Sequence, residues 1–166
     1  QQAASAYMSF LVQPHAAAQL SANGFAQLLG FLRGDDDQLS GAHSLAAKAA
    51  PWLTPEVEER YKFVWSQGLD GGLNYYRASP LRPVTATEDF ISDMVLPAEI
   101  LRIDVPTLLL WALDDVALLP CLTEGLDTHI GQLKRVSIEK ATHWVVHEQT
   151  ARVIGEIQAF LTPTPS

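Results

Sequence analysis

The chain has 166 residues, 48% hydrophobic and 18% charged, a composition that excludes a disordered polymer and fits about one folded domain. Eleven Lys plus Arg against nineteen Asp plus Glu leave a net charge of −8, and no stretch concentrates basic residues, so nucleic acid and anionic membrane are excluded as partners. The longest apolar run, Val105 to Leu113, is nine residues interrupted by Pro106 and Thr107, short of the roughly 20 that a membrane span needs. A single cysteine, Cys121, excludes an internal disulfide framework and a cysteine-rich zinc site. That usage leads us to expect a cytoplasmic protein. The opening Gln-Gln-Ala-Ala-Ser carries neither a methionine nor a charged-then-apolar leader, and we expect the chain to be processed or to be the tail of something longer.

In chain order, the first hundred residues read as short helices separated by Pro, Gly and Asp. Phe25, Leu28, Leu29 and Leu32 share a helical face that stops at Arg33-Gly34-Asp35. Thr54-Pro55-Glu56 supplies a cap, a first-turn proline and an early acid. The helix it opens presents Val57, Tyr61 and Val64/Trp65 and ends before Gly68. A third helix includes Leu73 to Arg77, and Leu81 to Pro97 reads as a connector. After Pro106 the pattern changes. Thr107 to Trp111 reads as a strand buried on both faces, Glu124 to Ile130 as a helix, and Arg135 to Ile138 as a shorter alternating strand. Trp144, His147, Ala151, Ile154, Ile157 and Phe160/Leu161 then recur at helical spacing.

Strand, helix, strand, helix is the pattern of a parallel sheet covered by helices. Two strands alone leave unpaired edges and half a core. We therefore expect an α/β fold in which a helical lid, residues 1–97, precedes the last strands and helices of a larger sheet, residues 98–166.

The polar residues fall where such a sheet binds ligands, at the carboxyl ends of its strands. Asp114 and Asp115 follow the first strand, and His143 follows the second. An aspartate that accepts the imidazole N–H fixes the tautomer and leaves the other nitrogen as a base. Either acid meets this spacing, and both could equally be turn or capping residues.

Trp111-Ala112-Leu113-Asp114-Asp115-Val116-Ala117-Leu118-Leu119-Pro120 resembles the acid-bearing segment of epoxide hydrolases in the α/β-hydrolase superfamily, whose Trp-Gly-x-x-acid form puts the acid on Asp115. Ala141-Thr142-His143-Trp144-Val145-Val146-His147-Glu148 is similar to the same family's catalytic histidine segment, where His-Trp begins the last helix. Gly72-Leu73-Asn74-Tyr75-Tyr76-Arg77 resembles the lid motif whose second aromatic is a tyrosine holding the epoxide oxygen, and Tyr7 to Pro14 resembles the segment that supplies the other tyrosine. Ala112 departs from the family's usual Gly. The family's His-Gly-x-Pro motif and nucleophile elbow stand before the lid, so we expect both upstream of Gln1.

The resemblance implies covalent catalysis in two steps. An aspartate in the missing N-terminal half attacks an epoxide, Tyr76 and Tyr7 hold and protonate its oxygen, and His143, oriented by Asp115, activates water. It implies a small apolar epoxide-like substrate, the missing half as partner, and no metal or organic cofactor. A haloalkane or haloacid dehalogenase shares the aspartate nucleophile but holds halide with indole or amide donors, so Tyr76 favours the epoxide, whereas a serine esterase differs at the elbow residue upstream. A non-catalytic truncated chain or binding subunit is the reading from another class, and this chain alone is expected to be inactive for want of a nucleophile.

Other features carry less. His143 and His147 have the spacing of a helical zinc pair, but Trp144 stands where the zinc-protease motif has Glu. Asp35-Asp36-Asp37 lacks the acid or amide and the glycine of a calcium loop, since Leu39 and Ser40 stand there. Cys121 reads as an inert thiol, and His15, His43 and His129 as loop or surface residues.

Overall fold

The computed structural model describes residues 9–33, 50–79 and 95–162. They fall into two compact units, one reaching to Val95 and one running from Leu96 onward.

The first unit is helical. Helix α1, Ala16–Arg33, is interrupted at Ala22–Phe25, where Asn23, Gly24 and Phe25 have φ of 50°, 63° and 64°. Asn-Gly adopts this left-handed geometry with little strain, whereas Phe is an uncommon occupant. Only the half after Phe25 was legible as a periodic stripe; the half before it buries Ala16 and Leu20. Helix α2, Pro55–Ser66, opens as expected, with Thr54 Oγ1 accepting from Val57 N at 3.4 Å and Pro55 in the first turn. Val64, expected on its apolar face, is 61% exposed. Helix α3, Asp70–Ala78, is longer than the expected Leu73–Arg77. The core of the unit is Leu11, Ala16, Leu20 and Leu73.

In the second unit a single turn, α4 (Ala98–Leu101), precedes β1 (Thr107–Ala112). Strand β2, Leu133–Ile138, lies parallel to β1 in a register running from Thr107 opposite Leu133 to Ala112 opposite Ile138. Among the described residues these strands pair only with each other. The crossover departs from expectation. Instead of a helix over Glu124 to Ile130 it has two short 3-10 turns, Pro120–Thr123 and Leu126–Thr128. Extended backbone at Glu124 and a left-handed Gly125 (φ 74°) separate them. Arg135 Nη2 on β2 donates to Thr123 O at 2.7 Å and ties this crossover down.

The terminal helix is likewise two pieces, α5 (Val145–Glu148) and α6 (Thr150–Leu161), broken at Gln149 (φ −131°, ψ 45°). Val153 packs on the core cluster of Ala112, Ile138 and Ala141. Ile154, Ile157 and Leu161, expected on the buried stripe, are 48%, 40% and 72% exposed. The expected burial of β1 on both faces is also incomplete, because Ala112 is its one fully buried residue. No helix among the described residues is long and apolar enough to cross a membrane.

Candidate active site

The carboxyl end of the strand pair is built by backbone bonds that outrun the strands. Leu113 N donates to Ile138 O at 3.0 Å, and Asp114 N donates to Ala141 O at 3.0 Å. This continued pairing carries the chain after β1 alongside the loop after β2. Ala112 and Ala141 are buried there, 5% and 0% exposed, so small side chains let the two segments close. Ala112 is not among the residues at positive φ, which is why the turn accepts alanine in place of glycine.

Asp115 then turns inward and is 7% exposed. Its Oδ1 accepts from Ala117 N at 2.8 Å and Leu118 N at 3.0 Å, and its Oδ2 meets His143 Nδ1 at 2.9 Å. Three hydrogen bonds satisfy the carboxylate, as a buried acid requires. The His143 side chain is 31% exposed, and no described residue hydrogen-bonds Nε2. Trp144 meets the imidazole edge to face, at 5.4 Å and 86°. An imidazole held at Nδ1 by a buried carboxylate, with no described residue bonded at Nε2, is chemically arranged to take a proton at Nε2. Spacing left Asp114 and Asp115 as rivals; the geometry puts Asp115 on the histidine.

Tyr76 lies on α3 in the helical unit, half-buried against the Leu11, Ala16, Leu20 and Leu73 core and edge-on to Tyr75 at 5.5 Å. Tyr7 lies outside the described residues, as do His43 and Asp35 to Asp37. The structure does bring together described parts of two segments singled out in the sequence. Arg77 Nη1 donates to Asn74 Oδ1 at 3.0 Å and its Nη2 to Gln13 O at 3.3 Å, tying the Asn-Tyr-Tyr-Arg motif to the stretch that ends at Pro14.

One string, Gly68-Leu69-Asp70-Gly71-Gly72, has the Gly-x-Asp-x-Gly spacing of a nucleophile elbow, and the expectation that the elbow lies upstream passed over it. It joins α2 to α3 instead of following a strand, and the Asp70 side chain is 75% exposed beside Arg77. It is a helix start and lacks the elbow's strand-to-helix turn. Among the described residues no three His, Cys, Asp or Glu side chains gather as a metal site would need. Cys121 is exposed.

Sequence alone gives no role of their own to Glu148, at the end of the histidine segment, and to Gln149 after it. The Glu148 carboxylate accepts from Thr142 N at 2.6 Å and from Thr142 Oγ1 at 2.7 Å. Gln149 Nε2 donates to Glu139 O at 2.7 Å. Both hold the histidine loop from beyond it, at a separation no short motif encodes.

No family model matches the chain, and no curated protein matches it. Solved structures do. An epoxide hydrolase from Bacillus megaterium, in complex with an inhibitor, superposes with a TM-score of 0.70 at 20% identity, over 96% of this chain and 52% of that one. A structure described among novel epoxide hydrolases of the α/β-hydrolase superfamily in metagenomes from hot environments gives 0.72 at 30% identity, over 99% and 52%. The chain is similar in structure to epoxide hydrolases and has part of the α/β-hydrolase fold. A laboratory-evolved variant of potato epoxide hydrolase gives 0.64 at 23% identity, over 93% and 52%. The chain thus spans about half the length of the structures it matches.

Proposed function

We propose that this epoxide hydrolase-like chain is the C-terminal half of an enzyme that opens small apolar epoxides to diols, with residues 1–97 as its lid and residues 98–166 as the end of its core. The observation that carries the reading is the 2.9 Å contact between buried Asp115 and half-buried His143 at the carboxyl end of parallel strands. The structural likeness to epoxide hydrolases over half of their length supports it.

In this reading a carboxylate from the other half attacks one epoxide carbon. The C–O bond breaks as the ester bond forms. Tyr76, together with Tyr7, donates a proton to the developing alkoxide; a phenol with an ordinary pKa near 10 stays protonated at neutral pH and still serves a strongly basic oxygen. His143 Nε2 then takes a proton from water, and the resulting hydroxide attacks the ester carbonyl. The bond from the carbonyl carbon to the alkoxy oxygen breaks, the diol leaves with the proton of the new carboxyl, and the imidazolium returns its proton to the phenolate, which restores carboxylate, phenol and imidazole. Asp115 stabilises the imidazolium formed meanwhile. No step uses a metal or an organic cofactor. A reducing cytoplasmic setting suits the exposed thiol of Cys121.

The test has two parts. The coding sequence upstream of Gln1 is read for His-Gly-x-Pro and for an elbow following a strand. The half so found is then co-expressed with this chain and assayed on styrene oxide. The reading expects an aspartate at the elbow, turnover by the assembled halves and none by this chain alone. A serine there would make the enzyme an esterase; selective turnover of haloalkanes would make it a dehalogenase. Turnover by the isolated chain would overturn the whole account of a nucleophile held elsewhere.

A further inference from the structure

The histidine loop, Glu139 to Trp144, holds a reactive side chain on irregular backbone. Lys140 within it sits at φ 54°, a left-handed conformation that L side chains adopt at a cost. Something must hold such a loop in one conformation. Its amino-terminal part is held by Gln149, whose Nε2 donates to Glu139 O at 2.7 Å and Lys140 O at 3.4 Å. Its carboxyl-terminal part is held by Glu148. That carboxylate accepts from Thr142 N at 2.6 Å and Thr142 Oγ1 at 2.7 Å, and the same Oγ1 accepts from Trp144 N at 3.4 Å. Thr142 N is thus tied to the acid directly, and Trp144 N, on the far side of His143, is tied to it through the Thr142 hydroxyl.

The arrangement differs from an ordinary capping box, in which the acid sits three residues after the capping hydroxyl. Here the separation is six residues, and Glu148 ends the single four-residue turn of α5. Its carboxylate makes two charge-assisted bonds to the loop.

We propose that Glu148 is a positioning residue for His143: by clamping Thr142 it fixes the backbone on both sides of the histidine and so holds Nδ1 on Asp115. The catalytic use of that position rests on the proposed function; the clamp itself does not.

The test uses this chain labelled with ¹⁵N-histidine, following the Nδ1–H proton of His143 and its exchange with water by NMR. Wild type should give a downfield, slowly exchanging resonance that Asp115→Asn removes. In Glu148→Ala the proton should exchange at least about tenfold faster, the order expected when an outer hydrogen-bond partner is lost. Glu148→Gln, which can still accept from Thr142 N and meet its hydroxyl, should restore most of the protection. Thr142→Val, which deletes only the hydroxyl, should lie between the two and covers the case in which Glu148→Ala does not fold. Unchanged exchange in both Glu148→Ala and Thr142→Val would overturn the proposal, as would absence of the resonance in wild type. Should the assembled enzyme hydrolyse no epoxide while this ordering holds, the clamp stands and the proposed function falls.

Discussion

The two units bury apolar residues to different ends. In the helical unit the buried cluster consists mainly of large side chains, Leu11, Leu20 and Leu73, closed by Ala16. In the strand-bearing unit the buried cluster is Ala112, Ile138 and Ala141, mostly small. Many of that unit's large apolar residues lie outside it: Leu122 is 55% exposed, Val146 54%, Ile154 48%, Ile157 40% and Leu161 72%. The first unit uses its leucines for its own core. The second spends its interior on a tight backbone junction between two strand ends and leaves much apolar surface uncovered. Its functional geometry is consequently set by hydrogen bonds more than by packing: Asp115 makes three, and the histidine loop is tied at Glu139, Thr142 and Trp144.

That difference predicts where the largest effects fall. If the proposed function holds, His143→Gln in the assembled halves should slow hydrolysis of the ester by about 10²–10⁴-fold, the range of a lost general base. The ester should accumulate and be seen as a mass adduct on the other half. Asp115→Asn should slow the same step by about 10⁴-fold. It keeps the shape of the junction but takes away the charge that stabilises the imidazolium. Loss of substrate binding alone in both variants would make the pair a packing feature. Tyr76→Phe belongs to the other unit and should act on the other half-reaction, slowing ester formation by about tenfold or more with little change in binding. An effect confined to stability would leave Tyr76 as a core aromatic.

Sequence periodicity located the elements but misjudged which faces are covered. Thr107 to Trp111 read as a strand buried on both sides, and Ile154, Ile157 and Leu161 as a buried stripe. Both readings presume a full sheet, and the described strands pair only with each other. The failure over Glu124 to Ile130 is local, because Gly125 in the left-handed region divides the segment where periodicity sees one face. The contact of Asp115 with His143 was legible because spacing puts acids and a histidine at neighbouring strand ends and the resemblance picks Asp115 over Asp114. The contact of Glu148 with Thr142 was not, since a carboxylate six residues from the hydroxyl it binds has no short-range signature.

The exposed stripe yields a prediction of intermediate size. If the complementary half covers this unit, Ile157→Asp should leave melting of the isolated chain nearly unchanged, since the residue is already 40% exposed. It should weaken assembly of the halves by about 1–3 kcal/mol, the worth of burying one aliphatic side chain, as read by titration calorimetry. Equal assembly by wild type and variant would place the contact elsewhere on the unit.

The smallest effect belongs to the helical unit and is electrostatic. Glu58 on α2 pairs with Lys62 Nζ at 2.7 Å and with Arg33 at the end of α1. The Lys62 hydrogen bond is the chief cause holding the Glu58 carboxyl below its ordinary 4.5; burial opposes it, and the Arg33 charge adds to it. A carboxyl depressed in the folded state binds fewer protons there than in the unfolded chain. Its contribution is therefore complete above the ordinary value and is lost as pH falls from about 4.5 through the folded value. Arg33→Ala should cost less than about 1 kcal/mol at neutral pH, as partly exposed pairs do, and should flatten the acid limb below that value. Trp65 packs against Tyr61 at 5.2 Å and Phe25 at 5.6 Å in the same unit, so its fluorescence reports the unfolding. A parallel acid limb in wild type and Arg33→Ala would show that Lys62 alone holds Glu58 down, and that α1 and α2 are joined by their apolar faces without help from the ion pair.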